Sequence, residues 1–70
     1  MLGDNVKHYR EKKKLSQAQL ADMCGINPSM IGQIEACGKT PNIVLGAKIA
    51  SILGVTVEQL INDERSTQNE

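Results

Sequence analysis

The sequence predicts an all-α fold of five short helices, and three observations support it. Ser16 with Gln19 and Thr56 with Gln59 have the spacing of capping boxes, in which each side chain bonds the other residue's backbone N–H at a helix start. Glycines follow three runs of apolar residues at helical spacing, where a helix commonly ends: Gly25, Gly38 and Gly54. Hydrophobic residues make up 40% of the chain, yet Tyr9 is the one aromatic, so an aliphatic core suited to helix stripes is expected.

The first two helices follow from these signals. The first is predicted from about Asn5 to Lys13, with Asp4 or Asn5 as its cap. The second begins at Ser16 and stops at Gly25.

The remaining helices have equally local signals. The third has Asn27 as its cap and Pro28 at its first position, where a missing N–H costs nothing, and Gly38 closes it. The fourth starts at Asn42 and ends before Gly54, with an apolar stripe that includes Ile43. The fifth follows Thr56 and ends near Ile61. Each is too short to be stable alone, so packing must hold them together.

Domain organisation follows from where the apolar periodicity ends. Seventy residues are enough for one domain, predicted over residues 1–62. Residues 63–70 are polar and are expected to form a disordered tail.

Composition argues against several function classes. Cys24 and Cys37 lack the spacing of zinc ligands and are expected to be reduced and mostly buried. Nothing in the sequence resembles a catalytic constellation or a phosphate-binding loop, so we expect no enzyme activity, cofactor, metal or small-molecule ligand. Apolar runs are too short for a membrane span, which favours a cytoplasmic protein.

Charge is unevenly distributed although the net charge is zero. Residues 1–48 carry seven Lys and Arg against four Asp and Glu, whereas residues 49–70 carry one Arg against four acidic residues. A basic face can bind a polyanion even on a neutral protein, so nucleic acid stays open as a partner.

The run LSQAQLADMCGINPSMIGQIE, followed by GKTPN and KIASILGVTVEQLI, resembles the lambda-repressor-like helix-turn-helix family, also called the Cro/CI or XRE type. The resemblance spans roughly Val6 to Ile61. It implies a compact five-helix DNA-binding domain whose helix-turn-helix is formed by helices 2 and 3. One departure is the position of Gly38, since Ala36 and Cys37 intervene after Glu35, and the third helix is therefore expected to run one residue longer.

A recognition helix enters the major groove by its N-terminal end. The outward residues there are Pro28, Ser29 and Gln33, predicted to contact bases, with Gln33 able to bond adenine N6 and N7. The resemblance adds Gln17, at a family position that contacts phosphate and often a neighbouring base.

Phosphate contacts are expected from three further residues, through charge and free backbone N–H groups: Lys39, Thr40 and Asn42. The resemblance implies a salt bridge between Arg10 and Glu35 that links the first and third helices.

The function this implies is sequence-specific binding of double-stranded DNA by a bacterial or prophage transcriptional regulator, most simply a repressor. A palindromic operator calls for a homodimer, and Val57, Leu60 and Ile61 are the predicted interface. The alternative is that all three belong to the core and that a monomer pairs only on DNA. The competing prediction is an antitoxin-like or adaptor protein that uses the fold for protein–protein interaction. An exposed apolar patch on the fourth or fifth helix would favour that alternative.

Overall fold

The computed structural model describes residues 2–61, which form five α-helices and no strand. These are α1 (Leu2–Lys12), α2 (Gln17–Cys24), α3 (Pro28–Cys37), α4 (Ile43–Leu53) and α5 (Val57–Ile61). The predicted all-α class and the number of helices are confirmed within this range. The expected tail at residues 63–70 lies outside the described residues.

Local signals set the boundaries of α2, α3 and α4. Ser16 and Gln19 form the predicted capping box, and Asn27 and Asn42 cap α3 and α4 through side-chain acceptors. The residues that end these helices are Gly25, Gly38 and Gly54, all left-handed at φ near +74°. A side chain would be strained in that conformation, which explains why glycine ends each helix. Helix α3 continues to Cys37, as the displaced Gly38 predicted.

The start of α1 was predicted wrongly. The helix begins at Leu2, so neither Asp4 nor Asn5 caps it. Asn5 is instead fully buried, and its Nδ2 donates to the backbone O of Leu60 at 2.7 Å. Gly3 lies against α3 so closely that an added Cβ would come within 2.5 Å of the Ile34 carbonyl oxygen. The first turn of α1 is therefore a packing surface.

The core is aliphatic and lies where all five helices meet. Helix α3 packs on both α1 and α2, while α4 supports α2 and α5 closes against α1. The buried apolar residues are Val6, Leu20, Ala21, Cys24, Ile31, Ile34, Ile49, Ala50, Leu53 and Leu60. This packing fixes the angle between α2 and α3 and leaves the outer face of α3 in solvent.

Two predicted environments need correction. Cys37 is exposed, because it occupies the last turn of α3 beyond the core, whereas Cys24 is buried as expected. Burial raises the pKa of the Cys24 thiol, against the opposing effect of nearby Lys48. Leu60 is 1% exposed and belongs to the core, so it has no surface to offer a second copy.

No helix within residues 2–61 is long and apolar enough to cross a bilayer.

Candidate nucleic-acid interface

The outer face of α3 carries the residues predicted to contact bases. Ile31 and Ile34 are buried on its inner face, which leaves Pro28, Ser29 and Gln33 exposed. Ser29 and Gln33 are one helical turn apart and share a face. The structure therefore places Ser29 and Gln33 on one exposed face of α3, with Pro28 exposed at the start of the same helix.

Gln33 already has a polar neighbour on this face. Lys39 Nζ donates to Gln33 Oε1 at 3.3 Å, and both side chains are exposed. The backbone N–H of Lys39 also donates to the Gln33 carbonyl at 3.3 Å. A cation thus lies beside the residue expected to read a base.

Gln17, the first residue of α2, lies next to the same face. Its side chain is exposed, and its Nε2 donates to Glu35 Oε1 at 3.0 Å. Its Oε1 lies 3.7 Å from the point that a Cβ on Gly32 would occupy. Sequence reasoning missed this Gln17–Glu35 contact, because it depends on how α2 crosses α3.

Behind this face, Arg10 and Glu35 form the ion pair that the family resemblance implies. Arg10 Nε donates to Glu35 Oε2 at 2.7 Å and Arg10 Nη2 donates to Glu35 Oε1 at 3.0 Å. The two side chains are only 9% and 3% exposed. Arg10 Nη1 also donates to the backbone O of Leu15 at 2.8 Å. The hydrogen bonds that Arg10 donates to Glu35 raise the pKa of Arg10, so the charge is permanent.

The residues expected to meet phosphate lie after α3. Lys39, Thr40 and Asn42 are all exposed in the link to α4 and at its start. Asn42 Oδ1 accepts from the backbone N–H of Leu45 at 2.8 Å. A helix N-terminus also has N–H groups without intrahelical acceptors and carries partial positive charge, so an anion could bind there.

A separate apolar groove of about 240 Å³ lies between α1, α4 and α5. Three hydrophobic residues at this groove are exposed: Ile43 (82%), Ile61 (60%) and Val57 (36%). The sequence placed Ile43 in the apolar stripe of α4, and a core position for it is wrong, since its side chain lies at the open groove and is 82% exposed. All three residues predicted for a dimer interface line this groove, but only Val57 and Ile61 are exposed there, since Leu60 is buried.

The comparison with protein families gives a match for this arrangement. A family model described as "Helix-turn-helix" matches residues 6–60. The chain belongs to the helix-turn-helix family. The match runs from Val6 in α1 to Leu60 in α5, so it covers the whole packed unit and not the α2–α3 pair alone.

Similar helix-turn-helix proteins include regulators and a control protein. The transcriptional regulator SinR of Bacillus licheniformis is 33% identical over 97% of this chain, and the chain spans 62% of that protein's length. The control protein C.SmaI of Serratia marcescens is 36% identical over 87% of this chain and 73% of its own. A crystal structure of SinR in complex with DNA has a TM-score of 0.82 at 32% identity, covering 89% of this chain and all of that one.

Proposed function

We propose that this chain is a sequence-specific DNA-binding transcriptional regulator, most simply a bacterial or prophage repressor acting in the cytoplasm, and not an enzyme. The observation that carries the proposal is the outer face of α3, exposed beside Gln17 and backed by the buried Arg10–Glu35 pair. Similarity to a chain solved with DNA, over 89% of the present one, supports the same conclusion.

Base reading in this proposal falls to α3 and the start of α2. Gln33 offers both a donor and an acceptor, which together match the major-groove edge of adenine. Ser29 can donate or accept, and Pro28 can contact a thymine methyl group. Gln17 reaches a neighbouring base or phosphate.

Phosphate binding falls to the segment that follows α3. Lys39 supplies charge, Thr40 a hydroxyl group, and the start of α4 at Asn42 the backbone N–H groups. These contacts fix the position of α3 in the groove without reading sequence.

The direct test is selection of bound sequences from random DNA, followed by Gln33→Ala. Loss of a bidentate base contact should weaken binding to the selected sequence by about 1–3 kcal/mol and spare random DNA. Ser51→Ala, at an exposed position of α4 outside the proposed interface, is the control, with melting curves to confirm that both variants are folded. Failure of the parent to select any sequence would reject the function. An equal loss on both DNAs would reject Gln33 as a reader.

We also propose that the chain binds a palindromic operator as a homodimer, with half-sites about 34–36 Å apart. One α3 helix covers too few base pairs to specify a site. The exposed side chains of Val57, Ile61 and Ile43 at the apolar groove support pairing there. Ile61→Glu should abolish pairing in sedimentation experiments while leaving the fold intact, because this side chain is exposed. A parent that remains monomeric both alone and on a palindrome would refute the dimer.

The same groove is the specific observation in favour of a second function, binding of another protein as an adaptor or antitoxin-like module. Salt dependence separates the two. A DNA-binding protein loses affinity for DNA steeply as salt rises, because it releases counterions from the phosphates. A protein-binding module would show little such DNA affinity, and Ile43→Ser would weaken its partner complex.

A further inference from the structure

We propose that Glu35 is a positioning residue for DNA reading: it fixes the orientation of the Gln17 amide, so that Gln17 presents an acceptor oxygen and selects a base that carries an amino group. This inference rests on the proposed function. It goes beyond it by assigning a base preference to one side chain and by naming the residue that enforces that preference.

The first step is that Glu35 itself is held rigidly. Its side chain is 3% exposed, and Arg10 donates to both of its carboxylate oxygens, at 2.7 and 3.0 Å. Arg10 is in turn anchored to the Leu15 carbonyl at 2.8 Å. The Glu35 carboxylate is therefore a fixed acceptor between α1, α2 and α3.

The second step concerns which end of the Gln17 amide faces this carboxylate. An ionised carboxylate only accepts hydrogen bonds, so the amide must turn its nitrogen toward Glu35. Gln17 Nε2 does so, at 3.0 Å from Glu35 Oε1. A flipped amide would place its oxygen against a carboxylate oxygen, which is repulsive. The usual freedom of an exposed glutamine to rotate by half a turn is lost here.

The third step concerns the position of the Gln17 Oε1 atom. Gln17 Oε1 lies 3.7 Å from the point that a Cβ on Gly32 would occupy, over the half-buried part of α3 between Ser29 and Gln33. Even a methyl group at position 32 would make only ordinary contact with this oxygen, so the oxygen has room to lie there. The reading face thus has an acceptor at this position.

The chemistry of the bases gives the preference. In the major groove, adenine N6 and cytosine N4 donate, whereas guanine presents N7 and O6 and thymine presents O4, all acceptors. A fixed acceptor on Gln17 favours adenine or cytosine over guanine or thymine at the facing position. One hydrogen bond of ordinary strength gives a preference of about two- to tenfold.

The experiment compares sequence profiles selected from random DNA by the parent, Gln17→Ala and Glu35→Gln. The position at which Gln17→Ala loses the base preference of the parent (is relaxed) is the one that faces Gln17. The parent should select adenine or cytosine there. Glu35→Gln should relax that same position, because a glutamine at 35 can also donate and so permits the flipped Gln17 amide. The double variant should relax it no further than Gln17→Ala does.

Two controls separate positioning from loss of stability. Ile34→Val removes one buried methylene from the same helix and should leave the profile unchanged. Ser51→Ala, at an exposed position of α4 away from the reading face, should also keep the preference. The inference is overturned if the parent selects guanine or thymine at the position facing Gln17. It is also overturned if Glu35→Gln keeps the parent's preference there, or weakens the preference equally at all positions. A parent that selects no sequence refutes the proposed function, and this inference with it.

A measurement on the free parent protein covers the case in which Glu35→Gln does not fold. In an NMR spectrum, one proton of the Gln17 side-chain NH₂ should exchange slowly with water, because it is bonded to Glu35. Its order parameter should exceed that of a flexible side chain, which is below about 0.6. A Gln17 amide as mobile as that of an unfolded chain overturns the inference without any DNA.

Discussion

Replacing Arg10 by Ala should destabilise the fold far more than a typical change at a charged residue. The substitution removes the guanidinium group that bonds both oxygens of Glu35 and the carbonyl of Leu15. The Glu35 side chain, only 3% exposed, would keep the hydrogen bond from the Gln17 amide but lose both bonds from Arg10. An uncompensated charge would then be held away from water.

The size of the effect follows from this burial. Breaking one half of a buried ion pair costs about 3–5 kcal/mol, whereas an exposed pair contributes about 0–1 kcal/mol. A domain of this size has a free energy of unfolding of roughly 3–10 kcal/mol. Arg10→Ala should therefore remove a large fraction of the total stability and lower Tm by about 12–40 °C.

Thermal and urea unfolding followed by far-ultraviolet circular dichroism measure this directly. Lys12→Ala, an exposed cation on the same helix, is the matched control and should change stability by less than about 0.5 kcal/mol. Arg10→Met combined with Glu35→Met should recover much of the loss, because no buried charge remains. An Arg10→Ala protein that melts within about 3 °C of the parent would show that water reaches Glu35 and would refute the reasoning.

Three further outcomes are expected. Gly3→Ala should destabilise the fold by about 1–3 kcal/mol, since the added Cβ would meet backbone oxygens of α3. Gly46→Ala should stabilise it by up to about 1 kcal/mol, because the added Cβ would lie 4.0 Å from its nearest neighbour, in Pro41. Equal effects of the two variants in urea unfolding would contradict this. Lys39→Ala should lower affinity for every DNA sequence and make the salt dependence shallower by about one unit, and an unchanged slope would remove Lys39 from the phosphate contacts. A thiol reagent should label Cys37 quickly and Cys24 only on unfolding. Burial raises the pKa of Cys24, so the thiol ionises first in the unfolded chain and the free energy of unfolding should fall as pH rises above about 9. Uniform labelling of the two thiols would contradict both statements.

Boundaries of the later helices could be predicted because the interactions that set them are local. Ser16 and Gln19 bond each other's backbone groups within one turn, as do Thr56 and Gln59 at the start of α5. Gly54 needs only its own conformation to end α4. Such signals lie within a few residues of one another, and sequence spacing reveals them.

The start of α1 and the environment of α5 depend on distant partners and could not be read in the same way. Asn5 is of a residue type that commonly caps helices, yet its side-chain amide donates to the backbone carbonyl of Leu60, 55 residues away. Leu60 and Ile61 are adjacent and equally apolar, so the pattern could not say which one faces inward; packing buries Leu60 and exposes Ile61. In the candidate site, the family resemblance pointed to Gln17 and to Glu35 separately, but their contact requires the crossing of α2 over α3.

The hydrogen bond from Asn5 to the Leu60 carbonyl has a consequence for how the molecule opens. Helix α5 has five residues and cannot persist as an isolated helix, so it is ordered only while docked. Such an element is a natural unit of local unfolding, which native-state hydrogen exchange detects at energies below that of global unfolding. Asn5 therefore sets how often α5 detaches, and a substitution there would change exchange in the last helix while amides in α2 and α3 keep their protection.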